Sequence, residues 1–221
     1  MVILGFDTCL DKMYVVLAKD DEILCSKIIE TTKEHYHSAF LISTIKEVLK
    51  ENDLTPQEVD VIATNIGPGS FTGIRACTTV ARVFAQASGA KVVGISSLEI
   101  LSRLNDSQNK TVVALDARKE MAYAAAYENN KEILAPQTML IEDLKGLIAQ
   151  GRQFVVSDDK LAPTLISLTS EGVSYQQSDK DLGKFLAEIA YEKLQAGCET
   201  DWRKLHPLYI QPPPITVKKQ Q

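Results

Sequence analysis

The chain carries the same strand pattern twice, and this duplication limits its fold more than any other feature. Each copy begins with an apolar strand that ends in an aspartate, Asp7 in the first copy and Asp116 in the second. A tyrosine follows each aspartate after seven residues, at Tyr14 and Tyr123, and Glu-Ile-Leu occurs in the third strand of both copies. The spacing predicts two related halves, each opening with a three-stranded antiparallel meander.

Helix and strand patterns alternate after each meander. In the first half they predict helices at 37–51, 72–88 and 98–104 and strands at 59–64 and 91–95. In the second half they predict helices at 141–150, 160–168 and 182–195 and strands at 154–157 and 173–176. Each half therefore reads βββαβαβα, which gives a mixed sheet with helices on its faces. The predicted fold class is α/β, a duplicated actin/hexokinase/Hsp70-like (ASKHA) fold.

The two halves are expected to meet at a polar run. That run follows residue 104, so we predict an N-terminal half at 1–104 and a C-terminal half at 105–221. Near the end, Pro212-Pro213-Pro214 can neither pair in a sheet nor continue a helix, which predicts an extended Pro-rich tail.

Enzymes of this architecture usually hold ATP between the halves, with the first hairpin turn around its phosphates. In this chain the turn at Asp7 and Thr8 contains no glycine to bring backbone amides close to a phosphate, and neither does the turn after Asp116. Both are interpreted as degenerate phosphate turns. Asp7 is expected either to approach a metal or phosphate or to bond local backbone, and for Asp116 the local role is favoured.

A glycine-rich turn joins a β-branched strand to a long helix. It is either an anion seat at the helix N-terminus or a tight connection capped by Ser70 or Thr72. A Walker loop is excluded because no Gly-Lys-Ser or Gly-Lys-Thr occurs, and the dinucleotide fingerprint fails because Thr72 stands where its third glycine belongs. We favour the connection. The signature residues of this turn are Gly67, Pro68, Gly69, Ser70, Phe71, Thr72, Gly73 and Arg75.

Composition excludes several classes of function. The net charge of -5, without a basic block, argues against strong direct binding of nucleic acid. The three histidines form no HxxxH, and no GxSxG frame surrounds Ser70, so peptidase and serine hydrolase chemistry are not expected. The four cysteines show no CxxC pair, so we expect small, buried or half-buried residues and no metal site. No apolar run approaches the roughly 20 residues of a membrane span, which favours the cytoplasm.

The first two helices are unusually apolar. The helix at 72–88 is apolar on almost every side, and the helix at 37–51 carries a wide apolar stripe. A sheet covers only one face of a helix, so the other face needs a neighbour. The sequence leaves two interpretations open, a core position under the second half and a docking face for another subunit.

Three stretches resemble the bacterial TsaB (YeaZ) family of tRNA threonylcarbamoyladenosine biosynthesis proteins. They are GPGSFTGIR at 67–75, the opening Ile-Leu-x-Phe-Asp-Thr and the closing Pro-Leu-Tyr at 207–209. Length and order of elements agree along the whole chain. The departures are Ala39 and Ser43, where the family often has an acid and a proline, and Gln211, where it often has arginine. They concern partner contacts.

The resemblance implies a non-catalytic scaffold subunit without catalytic residues, metal or cofactor of its own. It would pair with a TsaD-type catalytic subunit and a TsaE-type ATPase in the complex that transfers threonylcarbamoyl to N6 of the adenosine adjacent to the tRNA anticodon. ATP or ADP and metal are then expected on the partner subunits, and tRNA would be contacted only indirectly. Alone, the chain is expected to homodimerise through the same surface that would bind the TsaD-type subunit.

The resemblance also implies docking through the first two helices of the N-terminal half. Carried onto this sequence, the partner-binding residues are Ser38, Leu41, Ile42, Ile45, Thr78, Ala81, Arg82 and Ala85. The alternative function, motivated by the fold and by Asp7, is an autonomous ATP-binding kinase or ATPase of the actin-like class. Calorimetry with Mg-ATP distinguishes the two hypotheses.

Overall fold

The computed structural model describes residues 1–30, 37–106, 109–149 and 153–211. The first half comprises β1 (Val2–Asp7), β2 (Lys12–Lys19), β3 (Glu22–Glu30), α1 (Leu41–Glu51), β4 (Val61–Gly67), α2 (Phe71–Ser88), β5 (Lys91–Ser96) and α3 (Ser97–Ser102). The second half comprises β6 (Thr111–Asp116), β7 (Met121–Glu128), β8 (Lys131–Leu140), α4 (Ile141–Ala149), β9 (Phe154–Ser157), α5 (Ala162–Leu165), β10 (Glu171–Ser174) and α6 (Leu182–Gln195). Both halves follow the predicted order βββαβαβα.

Each half builds one five-stranded mixed sheet. The strand order is β3-β2-β1-β4-β5 in the first sheet and β10-β9-β6-β7-β8 in the second, which is the same order read from the other side. In both sheets the central strand pairs antiparallel with the second meander strand and parallel with the first crossover strand. This topology confirms the predicted duplicated ASKHA-like α/β fold.

The halves exchange their last helices. In the first half, α1 and α2 pack on one face of the sheet, and the opposite face is covered by α6 from the end of the chain. In return, α3 packs on β6 and β7. The predicted division after residue 104 falls between α3 and β6, and the packing crosses it in both directions.

This exchange creates a shared apolar core between the sheets. Leu98 of α3 and Leu186 of α6 are fully buried in it, together with Val16 of β2 and Val113 of β6. Burying a leucine side chain contributes about 1.5–3 kcal/mol. The core therefore fixes how the two halves meet.

Several element boundaries differ from the predicted ones. Strand β4 begins at Val61 and continues to Gly67, because it pairs with β1 from Val61 onward and Gly67 still pairs with Ser96 of β5. The predicted helix at 160–168 contains α-helix only at Ala162–Leu165, followed by a 3-10 turn at Ile166–Leu168. Strand β10 ends at Ser174 and gives way to a 3-10 turn.

Two further predictions concern a membrane span and the Pro-rich tail. Among the described residues, no helix combines the length and the apolar character that a membrane span requires. The predicted Pro-rich tail at 212–214 lies outside the residues that the structure describes.

Candidate functional site

The glycine turn between β4 and α2 lies directly against the turn that follows β1. A Cβ atom on Gly69 would stand 2.3 Å from the Cys9 carbonyl oxygen, and one on Gly73 would stand 1.8 Å from the Thr8 carbonyl oxygen. Gly67 has a φ of 104°, in the region that L side chains rarely adopt. The glycines of the signature are therefore needed for close backbone approach and for the turn itself.

Several backbone groups at the start of α2 form hydrogen bonds within the chain. Ser70 is the N-cap, one of the two predicted, and its Oγ accepts from the Gly73 N–H at 3.2 Å. The Ser70 N–H donates to the Cys9 carbonyl at 2.8 Å, and the Thr8 hydroxyl donates to the Gly73 carbonyl at 2.9 Å. Ile74 N–H closes the first helical bond to the Ser70 carbonyl. Two of the backbone N–H groups that an anion could use at this helix start, those of Ser70 and Gly73, thus have partners already.

Asp7 anchors a buried polar network at the same place. Its Oδ1 accepts from the Cys9 N–H at 2.6 Å and its Oδ2 from the Asn65 side-chain amide at 2.9 Å. The Asn65 Oδ1 accepts in turn from the Ser97 hydroxyl at 2.9 Å and from the Gly67 N–H at 2.8 Å. The network ties β1 to β4, to α3 and to the glycine turn. The local backbone bond that was one of the two roles expected for Asp7 is present, with the Cys9 N–H as donor.

Sequence reasoning missed Asn65 and Ser97. Asn65 lies in the strand just before the signature loop, where an otherwise apolar run acquires one amide, and that single polar residue was the available signal. Ser97 has no such signal, because only the fold brings α3 to the end of β4.

Two of the four cysteines lie together beside Asp7. Ligand atoms of Asp7, Cys9 and Cys77 are all within 4.8 Å of one another, and the three residues are buried. The Cys77 Sγ also accepts from the Thr8 N–H at 3.2 Å. Burial, assisted by Cys77 and then by Asp7, raises the pKa of the Cys9 thiol well above its ordinary value. The expected buried or half-buried state of the cysteines is confirmed, whereas their sequence spacing did not reveal this cluster.

The equivalent turn of the second half is held by charges. The Lys160 ammonium lies 2.9 Å from the Asp116 Oδ2, and the Arg118 N–H donates to the Asp116 Oδ1 at 3.0 Å. Burial works in the opposite direction, yet these two donors lower the pKa of Asp116 below its ordinary value. Asp116 thus has the local role that the sequence favoured.

A hydrogen bond crosses the cleft between the two halves. The Tyr175 hydroxyl, just after β10, donates to the Asp11 Oδ2 at 2.9 Å in the turn between β1 and β2. Burial raises the pKa of Tyr175, with the nearby Asp11 carboxylate adding to the shift. This hydrogen bond ties the turn after β1 in the N-terminal half to the end of β10 in the C-terminal half.

The predicted partner-binding set divides into buried and exposed residues. Five of its members belong to the core beneath the helices, namely Leu41, Ile45, Thr78, Ala81 and Ala85. They cover the first sheet instead of a partner, so the expectation of direct partner contact is corrected for these five. Ser38 lies in the 3-10 turn His37–Phe40 before α1. Arg82 is half-buried, with its guanidinium 5.9 Å from the centre of the Trp202 ring.

Large apolar side chains nevertheless remain exposed on this side of the first half. Ile42 of α1 is 58% exposed, and Phe71 and Val83 of α2 are 57% and 61% exposed. The turn that carries Phe40 packs against α2, and the Tyr209 ring stacks on Phe71 at 5.9 Å between centroids. We call Phe40, Ile42, Phe71, Val83 and Tyr209 the docking face. Of the predicted partner-binding set only Ile42 belongs to it, because periodicity alone did not reveal which side the sheet covers.

Comparison with known proteins gives a consistent family. The family model described as "TsaD: tRNA N6-adenosine threonylcarbamoyltransferase" matches residues 23–175, more than half of the chain. A protein of Bacillus subtilis (strain 168) named "tRNA threonylcarbamoyladenosine biosynthesis protein TsaB" is 26% identical over 72% of this chain and 68% of its own length. A protein with the same name from Buchnera aphidicola (subsp. Acyrthosiphon pisum) is 26% identical over 79% of this chain and 78% of its own.

Solved structures show the same fold. An uncharacterised Pseudomonas aeruginosa protein, described as similar to peptidase YeaZ, superposes with a TM-score of 0.77 at 20% identity, over 95% of this chain and 99% of that one. A putative N-acetylmannosamine kinase from Listeria monocytogenes superposes with a TM-score of 0.53 at 11% identity, over 88% of this chain and 100% of that one. By its matching family model, its TsaB relatives and its signature loop, this chain belongs to the TsaB (YeaZ) members of the tRNA N6-adenosine threonylcarbamoyltransferase family.

Proposed function

We propose that this chain is a non-catalytic partner subunit in the biosynthesis of tRNA threonylcarbamoyladenosine. It pairs through the docking face with a TsaD-type catalytic subunit, and a TsaE-type ATPase joins the complex. The complex transfers threonylcarbamoyl to N6 of the adenosine adjacent to the tRNA anticodon. In this proposal ATP or ADP and the catalytic metal belong to the partner subunits, and this chain contacts tRNA only indirectly.

The docking face is the observation that carries the proposal. Three large apolar side chains, Ile42, Phe71 and Val83, each have more than half of their surface exposed on two neighbouring helices. Scattered exposed apolar residues are ordinary, but a group on one side of a domain marks a contact surface. The same face supports pairing of two copies when no partner is present.

The cleft between the halves supports a scaffold more than an ATPase. A phosphate needs free backbone amides at close approach, and at the start of α2 two of them have partners, since Gly73 N–H bonds to the Ser70 Oγ and Ser70 N–H bonds to the Cys9 carbonyl. The Tyr175 hydroxyl reaches across the cleft to Asp11, and Lys160 already neutralises Asp116. These contacts favour a chain that acts by binding other proteins through its outer surface and does not bind a nucleotide between its halves.

A charge reversal of the surface tests the proposal. Val83→Arg places a cation on the docking face without touching the core, so the fold of the isolated chain should be kept. Burying that cation at an apolar interface should cost at least about 2 kcal/mol, roughly thirtyfold in the Kd for the TsaD-type protein of the same cell.

Ile133→Arg is the matched control. Ile133 is 48% exposed, but it lies on β8 of the second half and outside the docking face. The Kd should be unchanged in this variant. Equal affinities of Val83→Arg and wild type would refute the proposed face, and a loss shared by both variants would refute its location.

A further inference from the structure

The cluster of Asp7, Cys9 and Cys77 joins three parts of the chain that are distant in sequence. Asp7 ends β1, Cys9 lies in the turn after it, and Cys77 comes from the second turn of α2. All three are at most 2% exposed, and their ligand atoms lie within 4.8 Å of one another. Two thiols and one carboxylate are donor types of a tetrahedral zinc site, and atoms this near one another can close around a single ion with a small shift.

We propose that Asp7, Cys9 and Cys77 bind a thiophilic divalent cation, with Zn²⁺ as the natural candidate. The Thr8 hydroxyl, 3.2 Å from the Cys77 Sγ, is the neighbouring oxygen for a fourth position. The proposed site departs from the expectation of no metal that the cysteine spacing gave. Its three principal ligands are separated by up to 70 residues of sequence, so no short sequence motif predicts the metal site.

The charge balance of binding is favourable for a buried site. Two S–H bonds break, two metal–sulfur bonds and one metal–oxygen bond form, and the two protons pass to the solvent buffer. No oxidation state changes. Because a doubly charged cation replaces two protons, the net charge of the cluster stays that of the Asp7 carboxylate, and no additional charge is buried.

A cation bound by Asp7, Cys9 and Cys77 would hold the glycine turn against the turn after β1. Cys77 belongs to α2 and the other two ligands belong to β1 and its following turn, so the metal bonds would act beside the contacts of Gly69 and Gly73 with that turn. Binding that requires the folded arrangement stabilises it. Free Zn²⁺ at a hundred times its Kd should raise the unfolding temperature by about 5 °C or more.

Cobalt provides the direct test. The full chain is stripped with a chelator, kept reduced with a phosphine and titrated with Co²⁺, and the expected result is one equivalent bound with a thiolate-to-cobalt band in the near ultraviolet. Cys9→Ser and Cys77→Ser should each weaken binding by at least about tenfold. Changing a residue that only supports a metal ligand already costs about that much, and these changes remove a ligand itself. Zn²⁺ should displace the cobalt.

Cys25→Ser and Cys198→Ser are the matched controls, because these half-buried cysteines lie outside the cluster. Both controls should keep the band and the stoichiometry. The Zn²⁺-dependent rise of the wild-type unfolding temperature gives a second readout that does not depend on how the variants fold. Absence of the band in the wild type, its persistence in both cluster variants or its loss in a control would each overturn the proposal.

Discussion

Replacing Gly73 with alanine should destabilise the fold by about 2 kcal/mol. The new Cβ would stand 1.8 Å from the Thr8 carbonyl oxygen, where ordinary contacts begin at 3.4 Å, and the neighbour is backbone that cannot rotate away. Overpacking of this kind costs about 1–3 kcal/mol. Weakening the bond from the Thr8 hydroxyl to the Gly73 carbonyl adds about 1 kcal/mol, and the better helix propensity of alanine returns about the same amount.

Gly146→Ala is the matched control for this prediction. Gly146 also lies in a helix, α4, but a Cβ there meets nothing within 4 Å, so alanine should stabilise the chain by about 0.5–1 kcal/mol. Urea titrations of both variants and of wild type measure the difference, and the Gly73 variant should melt about 4–8 °C lower than wild type. Wild-type stability of Gly73→Ala, or shifts of the two variants in the same direction, would refute the close approach.

Three other predictions test the core, the charges and the cleft. Leu186→Ala, in the core shared by the halves, should cost about 2–5 kcal/mol in a urea titration, and a smaller loss would contradict that packing. The Lys160 ammonium holds the folded-state pKa of Asp116 down, so its stabilisation is present above the unfolded pKa of about 4 and is lost as pH falls through the lowered value. The stability gap between wild type and Lys160→Ala should therefore begin to narrow below about pH 4 and vanish once the pH is below the lowered folded-state pKa, and a gap that does not narrow as the pH falls below about 4 would exclude this pair as its source. Calorimetry should show no tight binding of Mg-ATP to the isolated chain, whereas tight binding with hydrolysis that Asp7→Ala abolishes would support the kinase alternative.

The sequence was sufficient for the fold because its two copies agree at matching positions. Asp7 and Asp116 both end the central strand of a sheet, and each half contains the predicted crossover helices. The strand end at Gly67 was misplaced because Asn65 interrupts the apolar run after Thr64, whereas pairing with β5 continues beyond it. The sequence could not predict which helix covers which sheet. The apolar residues of α3 and α6 would suit either sheet, and only the structure shows that α6 packs on the first sheet and α3 on β6 and β7 of the second.

The candidate site was predictable as a region but not residue by residue. The signature turn at 67–75 and the importance of α1 and α2 follow from the sequence, but a helix with apolar residues on all sides does not reveal its inner face. In the structure Ala81 and Ala85 are buried against the sheet, whereas Phe71 and Val83 are exposed to solvent. Likewise the approach of Cys9 to Cys77 depends on α2 returning to β1, which sequence separation conceals.

The mass of the chain after mixing with the TsaD-type protein of the same cell tests the central claim most directly. Light scattering after size exclusion should show a complex of this chain and the TsaD-type protein of the same cell at the summed mass of one copy of each. The Val83→Arg variant in the same mixture should elute as separate proteins. Separate elution of the wild-type chain and the TsaD-type protein would contradict the account.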